Sequence, residues 1–163
     1  HHDLINDTTM NWDLRARGLG GDLNLPLTSC AEENVLAYQI DKYHAEDILV
    51  HEFAHSIHLI GLTLAAHDFD TRLKQCYENA KKNGILDGTY RLTDKEEYFA
   101  EAVQDWFNVN AEMDHADGKH NWCNTREELL EYDPDLYNLL AEYFPKTSLQ
   151  ISKHKKVNEI SKY

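Results

Sequence analysis

The sequence predicts an α+β domain: a small N-terminal mixed sheet with one helix, followed by a mostly helical C-terminal part. Three observations predict it. Glycines 18, 20 and 21 deny a helix to the first forty residues or so, helical spacing and capping signals dominate from about residue 44, and only Pro26, Pro134 and Pro145 interrupt the chain. With 163 residues and no repeat, low-complexity tract or linker, the chain reads as a single domain. The sheet and first helix take about 1–61 and the helical part about 62–163.

Residues 1–41 read as short strands and turns, with Val35-Leu36-Ala37-Tyr38-Gln39-Ile40 as a strand and 17–23 as a glycine-rich edge. The first helix is expected over about 44–60, with Glu46 and Asp47 at its positive end and Gly61 as its stop. A second helix follows over about 69–83, closing on Lys81-Lys82 with Gly84 beyond. A third opens on a Thr93–Glu96 capping box and runs to about Asn108. A fourth starts at the Thr125–Glu128 box, and a fifth at Asp133-Pro134, where a cap precedes a proline in the first turn.

The net charge of −13 argues against general nucleic-acid binding, which needs clustered positive charge, and against docking on anionic membranes. No apolar run approaches the ~20 residues that span a bilayer. The chain begins His1-His2 without Met and reads as a processed or excised form, so this pair carries no weight. A secreted or extracellular location is expected, with the cytoplasm left open. Cys30, Cys76 and Cys123 form no CxxC; one disulfide plus a thiol, or three thiols, both fit. Oligomeric state stays open.

His51-Glu52-Phe53-Ala54-His55 is an HExxH motif within an apolar stretch of helical spacing. Positions four apart lie on one helix face, so both imidazoles can bind one metal ion. Glu52 flanks that ion and is placed to take a proton from its bound water. Two histidines are too few for a catalytic zinc, which takes three protein ligands. A third histidine at 61 is excluded because that residue is Gly61. His58 would sit about 4.5 Å beyond His55 along the axis, and reads as a supporting or core-edge histidine.

The third helix supplies carboxylates instead. Glu97 and Glu101 are four apart on one face, so one can ligate while the other accepts a hydrogen bond from a ligand's N–H. The alternative is a solvated acidic face. Asp105 extends that row, with exposure its simpler reading. Trp106 reads as core, Trp12 and Trp122 as groove or packing residues, and His67, His115 and His120 as solvated loop residues.

At this point the sequence resembles the gluzincins, and more narrowly the peptidase domain shared by anthrax lethal factor and the Pro-Pro endopeptidases. The segments that carry the resemblance are His51–His55 and Glu97-Tyr98-Phe99-Ala100-Glu101-Ala102. It implies a zincin-like fold, one catalytic Zn²⁺ and hydrolysis of a peptide or protein substrate. It assigns His51, His55 and Glu97 as metal ligands, Glu52 as general base, Glu101 as a supporting carboxylate, and Tyr90, seven residues before Glu97, as oxyanion donor. The resemblance covers about 46–107, so substrate preference does not carry over. The competing readings are a zinc-binding recognition domain without activity and a different HExxH hydrolase such as an aminopeptidase.

Overall fold

A computed structural model describes residues 17–147. His1, His2 and Trp12 lie outside the described residues. The architecture is α-rich with one small antiparallel sheet, α+β in that coarse sense. Strand β1 (Gly18–Leu19) pairs with β2 (Ser29–Cys30), Gly18 opposite Cys30 and Leu19 opposite Ser29. Among the described residues seven α-helical segments follow: α1 (Glu32–Val35), α2 (Ile48–Ser56), α3 (Thr63–Ala65), α4 (Phe69–Lys82), α5 (Lys95–Trp106), α6 (Arg126–Tyr132) and α7 (Pro134–Ala141).

The strand expected at 35–40 is instead the end of α1 and a run of turns. Its apolar side chains find no core: Ile40 is 78% exposed and Leu36 52%. Buried Asn34 decides the path. Its amide donates to Asp41 Oδ2 and to the carbonyls of Tyr43 and Glu46, and its Oδ1 accepts from Ile48 N–H. These bonds fold the segment back, and tertiary bonding overrides β-propensity.

The first helix begins four residues later than expected, at Ile48, where the Asp47 carboxylate accepts from Val50 N–H at 3.1 Å. It also fails to stop at Gly61. The helix widens into a π-helical stretch, Ile57–Leu62, and runs on through α3. A glycine ends a helix by taking a left-handed conformation, and Gly61 has none; Gly84, with φ of 71°, does so after α4. The continuous span Ile48–Ala65 is long and apolar enough, by length and composition alone, to cross a membrane. Within this span α2 lies mainly against α5, and 28% of the span is buried.

The α5 cap is Asp94, not Thr93: its carboxylate accepts from Glu97 N–H at 2.9 Å. The capping box at Thr125–Glu128 and the Asp133-Pro134 start form as expected. Helix α5 is the centre of the core. Tyr98, Phe99, Val103 and Trp106 are buried on it, against Phe69 and Leu73 of α4 and Leu136 and Leu140 of α7. The three cysteines form no disulfide, and Cys123 is buried.

Candidate metal centre

Helices α2 and α5 cross so that three donor atoms meet. His51 Nε2 lies 3.0 Å from Glu97 Oε2 and 3.2 Å from His55 Nε2, and His55 Nε2 lies 3.6 Å from Glu97 Oε2. The two imidazoles share a face because they are one helical turn apart. Glu97 reaches them from the first turn of α5, set by the Asp94 cap. Donors bound at about 2.05 Å to a tetrahedral ion stand about 3.3 Å apart, and the three separations bracket that value. These residues therefore fit a single metal ion.

The electrostatics agree. Burial works to lower the pKa of His51, but the Glu97 hydrogen bond and the carboxylates of Glu101, Glu97 and Glu52 prevail and raise it to about 9. Burial works to raise Glu97, yet hydrogen bonds from His51 and His55 bring it down to about 2. The donors thus hold positive charge in their midst strongly.

The partner of the His51 ring corrects the sequence reading. His51 Nδ1–H donates to Gln104 Oε1 at 2.9 Å, and Gln104 Nε2 donates to the Asp47 carbonyl at 3.1 Å. Glu101, expected in that role, stands back at 3.7 Å from Nδ1; its Oε2 instead accepts from Asn110 Nδ2 at 3.0 Å. Residues 97, 101 and 104 lie on one face of α5, so helical spacing from Glu97 carried a signal for Gln104.

Glu52 points into the same cavity, a space of about 530 Å³ lined also by Gly18, Leu19, Gly20 and Tyr90. Burial raises its pKa, opposed by His51 and His55. Strand β1 lies directly on this helix. A Cβ built on Gly18 would sit 2.5 Å from Glu52 Cγ, and one on Gly20 would sit 2.4 Å from His55 Cβ. The glycines of the expected edge thus admit the motif helix itself. Ser56 locks the approach, accepting from Gly21 N–H at 2.9 Å and bonding Thr28 Oγ1.

Tyr90 stands on a 3₁₀ turn, Tyr90–Leu92, and is 40% exposed to the cavity side. Burial, then the carboxylates of Glu97, Asp94 and Glu101, push its pKa up to about 12. The turn is anchored by its neighbour: buried Arg91 pairs with Asp105 Oδ2 at 2.7 Å and donates to the Cys123 carbonyl. Asp105 is therefore fully buried in a polar network and not exposed.

His58 does not join the donors. Its ring inserts between Phe69 and Phe99, and Nε2 meets Asp70 Oδ1 at 3.0 Å. Nδ1 is buried with no hydrogen-bond partner among the described residues. His120 is not a solvated loop residue either. It lines the cavity, with Nε2 3.5 Å from Glu46 Oε2, and that carboxylate helps raise its pKa against burial. Nothing in local spacing linked residues 46, 101 and 120. Trp106 is core, and Trp122 is 41% exposed and edge-on to Tyr132.

In comparisons with known proteins, no family model, no curated protein and no solved structure matches the chain.

Proposed function

We propose that the chain is a zinc-dependent endopeptidase, a gluzincin built on a zincin-like domain, that hydrolyses peptide bonds in a peptide or protein substrate. The observation that carries this reading is the convergence of His51 Nε2, His55 Nε2 and Glu97 Oε2 in a cavity that Glu52 and Tyr90 also line. Two nitrogens and one oxygen are the protein donors of one class of catalytic zinc sites, which leave a further position open. A structural site is closed by four protein ligands and has no use for a neighbouring base.

His51, His55 and Glu97 would hold the ion, which supplies Lewis acidity to a water and to the scissile carbonyl. The remaining work falls to the chain. Glu52, its basicity increased by burial, receives a proton from the attacking water and returns it to the leaving amine. Tyr90 stays protonated at neutral pH, and its O–H donates to the carbonyl oxygen as negative charge develops there. Gln104 holds the His51 ring by its Nδ1–H, which turns the Nε2 lone pair toward the ion. An extended substrate is expected along Gly18–Gly20, the glycine wall of the cavity.

Incubation of the zinc-loaded protein with a diverse peptide library tests this. Cleavage by the parent and none by Glu52→Gln, with metal content unchanged, is the expected result. Failure of both to cleave, with zinc bound, would overturn the peptidase reading in favour of a zinc-binding recognition domain.

A further inference from the structure

We propose that the cavity holds a second divalent cation, bound by Glu46, Glu101 and His120. The three residues come from separate parts of the chain: the loop before α2, the middle of α5 and the loop between α5 and α6. One ligand atom from each lies within 4.8 Å of the others, and all three residues line the cavity.

The charge balance points to a cation. Glu46 is 7% exposed and Glu101 3%, so two largely buried carboxylates stand close together on the wall of the cavity. Burying an anion without compensation is costly. Among the described residues, no lysine or arginine is ion-paired with either. Glu101 accepts from Asn110, a neutral donor, and otherwise faces the His51 ring at 3.7 Å, which is committed to the first centre. The Glu46 carboxylate has no hydrogen-bond or ion-pair partner among the described residues except His120, itself one of the three.

The site is also built in advance. Asp117 Oδ1 accepts from the backbone N–H of Lys119 and His120, at 2.9 and 2.8 Å, and the Lys119 carbonyl accepts from Tyr90 N–H at 2.8 Å. His120 is thereby held against the turn that carries Tyr90. One imidazole and two carboxylates form a harder donor set than two imidazoles and one carboxylate, and suit Zn²⁺ or Mn²⁺. The second ion is therefore bound more weakly than zinc at His51, His55 and Glu97. It stands beside the first centre, since Glu101 Oε1 is 3.7 Å from His51 Nδ1. It would fasten the His120 loop to α5 and draw the Glu101 charge away from the His51 ring.

The test counts ions and needs no turnover, so it fails or succeeds independently of the peptidase reading. The full chain, stripped with chelator, is dialysed to equilibrium against Zn²⁺ and its metal content measured. The parent is expected to hold two ions, and Glu46→Gln, His120→Ala and His55→Ala one each. In Glu46→Gln and His120→Ala the surviving ion is the tighter one; in His55→Ala it is the weaker one. Glu46→Gln preserves volume and decides the matter should His120→Ala fail to fold. A parent holding no ion, or one ion that Glu46→Gln keeps and His55→Ala loses, would overturn the proposal, as would a parent holding two whose Glu46→Gln variant still holds two. One ion that Glu46→Gln loses and His55→Ala keeps would uphold it and overturn the zinc site of the peptidase reading instead.

Discussion

Gln104 Oε1 accepts the Nδ1–H of His51 at 2.9 Å, across the crossing of α2 and α5. This fixes the proton on the outer ring nitrogen and leaves Nε2 to face His55 and Glu97. Gln104→Leu removes the acceptor and strands a buried N–H. Zinc affinity is expected to fall roughly 10- to 100-fold, measured by competition with a chromophoric chelator. An unchanged affinity would show that Glu101, 3.7 Å away, takes over the bond.

The contact of β1 with the motif helix makes Gly20 the tightest point of the site. The Cβ of Gly20→Ala would lie 2.4 Å from His55 Cβ and 2.9 Å from the Glu52 carbonyl oxygen, neither of which can swing aside. Stability is expected to fall by about 1–3 kcal/mol, read from denaturant midpoints. Gly18→Ala meets only the Glu52 side chain, so it should cost less stability while displacing the general base.

Tyr90→Phe tests the oxyanion donor. The hydroxyl is not one of the three converging donors, so zinc content should be unchanged. Turnover is expected to fall roughly 100- to 1,000-fold, the effect of losing one such donor, with KM little altered. A variant as active as the parent would remove Tyr90 from the chemistry and leave it a packing residue.

His58 gives a pH dependence whose sign is fixed. Burial holds its pKa below the ordinary 6.5, and Lys95 of α5 adds to this; Asp70 of α4 and Glu96 of α5 work the other way. The folded state therefore binds this proton less well than the unfolded chain. Stability is complete above pH 6.5 and is lost as pH falls below it, with a slope of up to about 1.4 kcal/mol per pH unit. Asp70 does not confuse the window: its pKa is lowered from 3.8, so its contribution disappears only in more acidic solution. His51 and His120, both raised from 6.5, lose their contributions above that pH. Asp105, raised by burial to about 6, works in the opposite sense over part of this window. The His58 slope is therefore read as the difference between parent and His58→Phe in denaturant titrations at pH 5 and 6.5, the parent losing more stability on acidification than the variant.

Local chemistry, legible in the order of residues, specifies several of the helices. Asp133-Pro134, the Thr125–Glu128 box and Gly84 each act within a few residues, and each does what its spacing implies. It also determined the relation of His51 to His55, because four residues on a helix define a face. Which atoms those histidines meet depends on how the helices pack. The crossing of α2 and α5 brings Glu97 to the donors and gives Gln104, not Glu101, the His51 ring. It buries Asp105 against Arg91, and it gathers Glu46, Glu101 and His120 from parts of the chain with no shared periodicity. Such contacts depend on how whole elements pack, and the free energy of packing is spread over the entire core. No local pattern encodes it, which is also why Val35–Ile40, rich in strand-forming residues, yields to the hydrogen bonds of one buried asparagine.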